Sequence, residues 1–227
     1  MKHLAQPRYL PHSWQHAEEA QLDQHGKDLL GADQLPHPNL WDDLAGWWLK
    51  YRRGANTPNW DLACGCEIGG TPGLVLVEAK AHEAELDPRG KSLGSDASDN
   101  SRANHANIGA ALTEAGRGLA AHAPGISLSV DNSYQLSNRL AFGWWLAAHK
   151  VPVVLVYLGF TGDTGMRGGF TSADEWNTCV ERYFARVKAE ALVSRSVIID
   201  GTPLWTIARS REVLSVSPVG RDATLVS

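Results

Sequence analysis

Two nearly uninterrupted apolar runs, Leu74-Val75-Leu76-Val77 and Val151-Pro152-Val153-Val154-Leu155-Val156-Tyr157-Leu158, dominate the hydrophobic pattern of the chain. Both are rich in β-branched residues and short for a helix, which predicts buried strands, the first covered on both faces. Helical spacing surrounds them. A patchy stripe over residues 12–30 predicts a first helix opened by His12-Ser13. A stronger stripe of Leu40, Trp41, Leu44, Trp47, Trp48 and Tyr51 predicts a second over 40–53, with Gly54 at its end. Further helices are expected over about 104–121 and 134–150, the latter opened by Asp131-Asn132-Ser133 and running directly into the second strand. Ile126–Val130 reads as a strand or extended piece. Ser172-Ala-Asp-Glu175 is a capping-box pattern for a helix reaching about Leu192, and residues 196–207 read as a hairpin around Asp200-Gly201. Residues 83–101, rich in Gly, Ser and Asp, form a long loop that reads equally as a lid or as a passive connection.

The first apolar run ends abruptly in Glu78-Ala79-Lys80, and alternation along a strand puts Glu78 and Lys80 on one face with Ala79 on the other. Upstream, Asp61-Leu-Ala-Cys-Gly-Cys-Glu-Ile68 reads as the partner strand, joined through Gly69-Gly70-Thr71-Pro72-Gly73. A turn centred near Gly70 places Asp61 opposite the Glu78–Lys80 pair. Directly opposed Cβ atoms lie about 4.5–5.5 Å apart. Two carboxylates at that separation can share a hard divalent cation through oxygen, whereas without one they repel. The metal brings a water of lowered pKa and Lewis acidity, and Lys80 orients that water or offsets charge on a pentavalent phosphate. The combination suits phosphodiester hydrolysis.

These residues resemble the motif of the PD-(D/E)xK nuclease superfamily, in which the first acid follows a proline and the second acid and the lysine end the next strand. Here Pro58 precedes Asp61 by three positions rather than one. The resemblance implies an α/β fold of the restriction-endonuclease-like class, with an αβββαβ core and a mixed central sheet flanked by helices. The order helix, hairpin, strand, helix, strand fits it, with an insertion between the Lys80 strand and Asp131. The resemblance also implies a nuclease acting on nucleic acid, DNA in the first instance, with Mg²⁺, or Mn²⁺ in its place, held by Asp61, Glu78 and the backbone carbonyl of Ala79. By length the chain reads as a single domain over residues 1–227, with the core at about 40–160 and an accessory region at 161–227.

Members of that superfamily often draw a glutamine from the helix after the third strand. Gln135 occupies that place here, and Arg139, four residues on, shares its face and can grip a phosphate. Some draw a glutamate from the first helix; Glu18, Glu19, Asp42 and Asp43 are candidates that nothing in the sequence ranks. His82 shares the parity of Lys80, but a lone histidine is more often structural.

Composition adjusts this picture only slightly. Of 227 residues, 43% are hydrophobic and 20% charged, with net charge −4 and a pI near 6.1, so a protein that coats nucleic acid by charge alone is disfavoured. Three cysteines, Cys64, Cys66 and Cys179, make no disulfide framework and too few ligands for structural zinc; they read as small core residues. No signal segment or membrane-length apolar run is evident, so a cytoplasmic setting without a membrane is expected. The sequence leaves a homo-oligomer open. Two rivals stand beside the nuclease: a non-cleaving nucleic-acid-binding or scaffolding module on the same fold, and a metal-dependent hydrolase of small phosphoesters.

Overall fold

The computed structural model describes residues 19–213, together with the backbone of residues 2–3 and 9–10. The architecture is α/β with a mixed sheet. Its edge begins with two short strands, β1 (Lys2–His3) and β2 (Tyr9–Leu10), both antiparallel to β5 (Leu62–Ile68). From there the order is β5, β6 (Thr71–Lys80), β7 (Val153–Thr161), β9 (Thr202–Glu212) and β8 (Arg195–Ile199). β6, β7 and β9 are mutually parallel, and β5 and β8 run antiparallel to their neighbours. A two-stranded ribbon of β3 (Ala20–Gln21) and β4 (Asn59–Trp60) stands apart.

The β5–β6 turn is tighter than expected. Only Gly69 and Gly70 form it, at φ 60° and 86°, where a side chain would be strained. Two successive left-handed residues make the turn whose twist matches that of paired strands. Thr71, Pro72 and Gly73 therefore belong to β6 itself. Pro72 precedes the first residue of β6 that pairs with β7, Leu74, so its missing N–H removes no rung of that ladder. Asp200 and Gly201 repeat the device between β8 and β9, as the sequence indicates.

Five helices pack on the sheet: α1 (Leu22–Leu30), α2 (Leu40–Trp48), α3 (Asp99–Leu119), α4 (Tyr134–Ala148) and α5 (Ala173–Ala185). Several boundaries differ from expectation. Ala20–Gln21 pair with β4, so the first helix starts at Leu22; the proposed start at His12-Ser13 lies outside the described residues. The second helix stops at Trp48, because Leu49 turns extended. α3 begins at Asp99, capped by the Ser98 hydroxyl, which accepts from the Ser101 N–H. α5 ends at Ala185, short of Leu192, which lies in a separate 3₁₀ turn. Ser172 does cap it, but the Glu175 carboxylate accepts from Thr171 rather than closing the box on Ser172.

Ile126–Val130 forms no strand. β6 therefore reaches β7 through α3 and α4 alone, and the third β-element expected before that helix is missing from this place. The region after residue 161 is not peripheral either. β9 lies inside the sheet between β7 and β8, and α5 buries Trp176, Tyr183 and Phe184 in the main core.

That core occupies one face of the sheet. Leu74 and Leu76 of β6, Val153, Leu155 and Tyr157 of β7 and Leu204 of β9 meet side chains from all five helices there. The other face carries only a thin cluster of Cys66, Ile68 and Val154 with Val75, Val156, Trp205 and Ile207, every one a strand residue. Among the described residues no helix covers it, so β6 is covered on one face rather than two. Cys66 is buried there and burial pushes its thiol up to about 11, while Cys64 is half-buried. No helix of the described residues is long and apolar enough to cross a membrane.

Candidate active site

The β5–β6 ladder ends at the pair Leu62 and Val77, which leaves Asp61 next to the last rung and Glu78 just beyond it on β6. Asp61 marks the kink between β4 and β5, and its carboxylate Oδ2 accepts the Ala79 N–H at 2.7 Å. Glu78 and Lys80 continue the parity of Leu74 and Leu76, which faces the helices. There the apolar core gives way to charge, with Glu78 2% and Lys80 7% exposed.

Two cations neutralise Glu78. Lys80 Nζ donates to Oε1 at 2.5 Å and Arg139 Nε donates to Oε2 at 2.7 Å. Arg139 enters from α4 and is 6% exposed. Its Nη1 donates to Asn138 Oδ1 at 2.7 Å and its Nη2 to the Asn59 carbonyl at 2.6 Å. The guanidinium also lies 4.5 Å from the Trp60 ring centroid. Each guanidinium nitrogen thus has a protein acceptor, and the side chain ties α4, β4 and β6 together. This is a different occupation from the phosphate grip read from its place on the helix.

These groups line an open cleft of about 560 Å³. The cleft collects Asp61, Glu78, Lys80, Gln135 and Arg139, five of the residues singled out from sequence. Gln135 makes no side-chain hydrogen bond among the described residues. Ala79 sits between the two charged residues of β6, with its N–H engaged by Asp61 and its side chain on the opposite face of the sheet. Of the acids left unranked, Glu19 lines the cleft and accepts from Asn59 Nδ2 at 2.7 Å. Asp42 instead pairs with Arg52, and Asp43 lies 3.6 Å from His37; neither reaches the cleft. Glu18 lies outside the described residues. His82 opens the 3₁₀ turn Glu83–Glu85 and stays off the cleft wall.

Asp61 is held above the usual carboxylate range. Burial is the main cause and the Glu78 charge adds to it, while the Ala79 N–H, Lys80 and Arg139 pull the other way. Burial pushes the Tyr134 phenol up to about 12, so this residue of the cleft wall stays protonated.

The donor set fits a hard divalent cation. A carboxylate offers roughly four acceptor sites. Glu78 uses one on each oxygen, and Asp61 uses one on Oδ2, while its Oδ1 makes no hydrogen bond among the described residues. Among the described residues no group of three or more His, Cys, Asp and Glu gathers around one point. A cation here would rest on one or two carboxylates plus water and substrate oxygens, the arrangement Mg²⁺ commonly accepts.

Among the cleft-lining residues that sequence reasoning missed are Asn59, Lys91, Tyr134 and Asn138. Asn138 had a signal, because Gln135, Asn138 and Arg139 form a polar face at helical spacing on an otherwise apolar helix. Lys91, in a loop without periodicity, had none. Comparison with protein-family models, with curated proteins and with solved structures returned no match to this chain.

Proposed function

We propose that the protein is a metal-dependent phosphodiester hydrolase acting on nucleic acid, DNA in the first instance, on a variant of the restriction-endonuclease-like fold. The observation that carries this reading is the gathering of Asp61, Glu78 and Lys80 in the wall of one open cleft at the end of the β5–β6 hairpin, with Asp61 hydrogen-bonded to the Ala79 N–H between the other two. Parallel β7, reached through α4, supports the fold assignment. The missing strand at 126–130 is where the chain departs from it.

Asp61 and Glu78, with the Ala79 carbonyl, would hold Mg²⁺ or Mn²⁺, which would supply Lewis acidity and a water of lowered pKa. The residues do the rest. Asp61 offers Oδ1 and is fixed by the Ala79 N–H. Arg139 holds the Glu78 carboxylate in one orientation. Lys80 orients the attacking water and offsets charge on the phosphate, and Gln135 holds a water or a phosphate oxygen at the rim.

The test is cleavage of supercoiled, linear duplex, single-stranded DNA and RNA substrates in Mg²⁺ or Mn²⁺, beside EDTA and the Asp61→Asn and Lys80→Met variants. Cleavage that needs metal and is lost in both variants supports the reading. Parent protein inert on every substrate sinks it, as does cleavage surviving in both variants.

A further inference from the structure

The cleft contains three cations, Lys80, Lys91 and Arg139. Glu78 already engages Lys80 and Arg139. Among the described residues, Lys91 is the cleft cation without an acidic partner. It is exposed, and its ammonium lies 5.1 Å from the Tyr134 ring centroid, held over the cleft mouth by an aromatic face rather than by an acid.

Its backbone is fixed. The Lys91 N–H donates to the Val130 carbonyl at 2.6 Å, and the Lys91 carbonyl faces His105 Nε2 at 3.0 Å. Just before it, Gly90 packs so closely that a Cβ would meet Val130 O at 2.5 Å and Asp131 O at 2.6 Å. Pro88 and Arg89 offer their carbonyls to the N–H groups of Ser133 and Tyr134, at 2.9 and 3.0 Å. The loop thus takes the N–H groups of Ser133 and Tyr134 at the start of α4 and presents the Lys91 side chain to the same cleft. Arg89, farther out, is neutralised by Asp87.

We infer that Lys91 binds the phosphate neighbouring the scissile one, so that the cleft takes a polynucleotide strand rather than a small phosphoester. This rests on the reading of Asp61, Glu78 and Lys80 as the site of the scissile phosphate. A lone phosphoester has nothing to place at Lys91, whereas a strand crossing the cleft carries a second phosphate to it. The anchored backbone and exposed side chain suit an electrostatic contact without sequence preference, since phosphate contacts position a strand without reading its bases.

The experiment is binding of a short fluorescein-labelled single-stranded DNA by the full chain, with Ca²⁺ replacing Mg²⁺, over a salt series. It compares the parent with Lys91→Ala and Lys91→Arg. Loss of one phosphate contact is expected to weaken binding by about three- to tenfold at low salt and to lower the slope of log K against log salt by about 0.7. Lys91→Arg is expected to restore both. Parental affinity and slope in Lys91→Ala overturn the inference, as does a parent that binds no DNA. Cleavage by the parent, measured on the same preparation in Mg²⁺, separates the two claims. Lys91-dependent binding without cleavage sinks the hydrolase reading and leaves Lys91 as a phosphate contact with no scissile phosphate beside it, whereas cleavage with Lys91-independent binding sinks the strand contact alone.

Discussion

Arg139 on α4 donates Nε to Oε2 of Glu78 on β6 at 2.7 Å, across 61 residues of sequence. The pair is almost wholly buried, and Lys80 occupies the other Glu78 oxygen. Charges so desolvated are stable only together, because each would otherwise lose its hydration without compensation.

Glu78→Ala is accordingly expected to cost stability as well as activity. It strands two buried cations, and breaking such pairs typically costs about 3–5 kcal/mol. Replacing Glu78, Lys80 and Arg139 together with Met removes the stranded charge and should recover most of that loss. Chemical denaturation of the parent, single and triple variants checks this. A triple variant no more stable than Glu78→Ala would refute the account. It also follows that activity lost in Glu78→Ala cannot be assigned to chemistry without a folding control.

Asp61→Asn is the cleaner probe of the chemistry. Asn retains an oxygen to accept the Ala79 N–H but carries no charge into the partly buried site. Because the folded-state pKa of Asp61 is raised, the native state binds more protons than the unfolded state between the ordinary and the raised value. Through this group, stability therefore falls as pH rises across that window, from about pH 4 upward. Asn should abolish this contribution and leave the protein at least as stable as the parent at neutral pH, with activity lost. Thermal unfolding across a pH series measures it; a variant clearly less stable at neutral pH contradicts it.

In the proposed reaction the metal must compete with protons for Asp61. Because Asp61 without metal is held above the usual carboxylate range, metal affinity should weaken on acidification, and more metal should move the acid limb of cleavage to lower pH. The rate of cleavage against pH at two Mg²⁺ concentrations checks this, and an acid limb that does not move with metal would remove Asp61 from metal binding.

Gly90 and Gly94 lie in one loop and should respond unequally to alanine. At Gly90 the new Cβ meets backbone oxygens, so the loop must shift; overpacking of this kind typically costs about 1–3 kcal/mol. At Gly94 the nearest atom is the side-chain Oδ1 of Asp96 at 2.9 Å, which can swing away. Gly90→Ala should lower stability and displace Lys91, weakening DNA binding, while Gly94→Ala should be close to neutral in both. Unfolding midpoints and binding titrations of the two variants, side by side, decide the matter.

Much of this protein was legible where local rules govern. The glycine-rich stretch fixes where the chain turns, its centre near Gly70 narrows the register, and a period of two along β6 fixes which side chains share a face. Asp61, Glu78 and Lys80 could thus be placed together before any fold was known. The same holds for the Asp200-Gly201 hairpin and for α4, whose apolar spacing and abrupt entry into β7 are local. What surrounds those three residues was decided only in three dimensions. Neither the capture of Glu78 by Arg139, nor the anchoring of Lys91 beside α4, nor the insertion of β9 next to β7 has a signature in a short window, because each depends on which distant segments close upon one another. Nor could an apolar run reveal that, among the described residues, helices cover only one face of β6, since Val75 and Leu76 look alike to periodicity until helices choose a side.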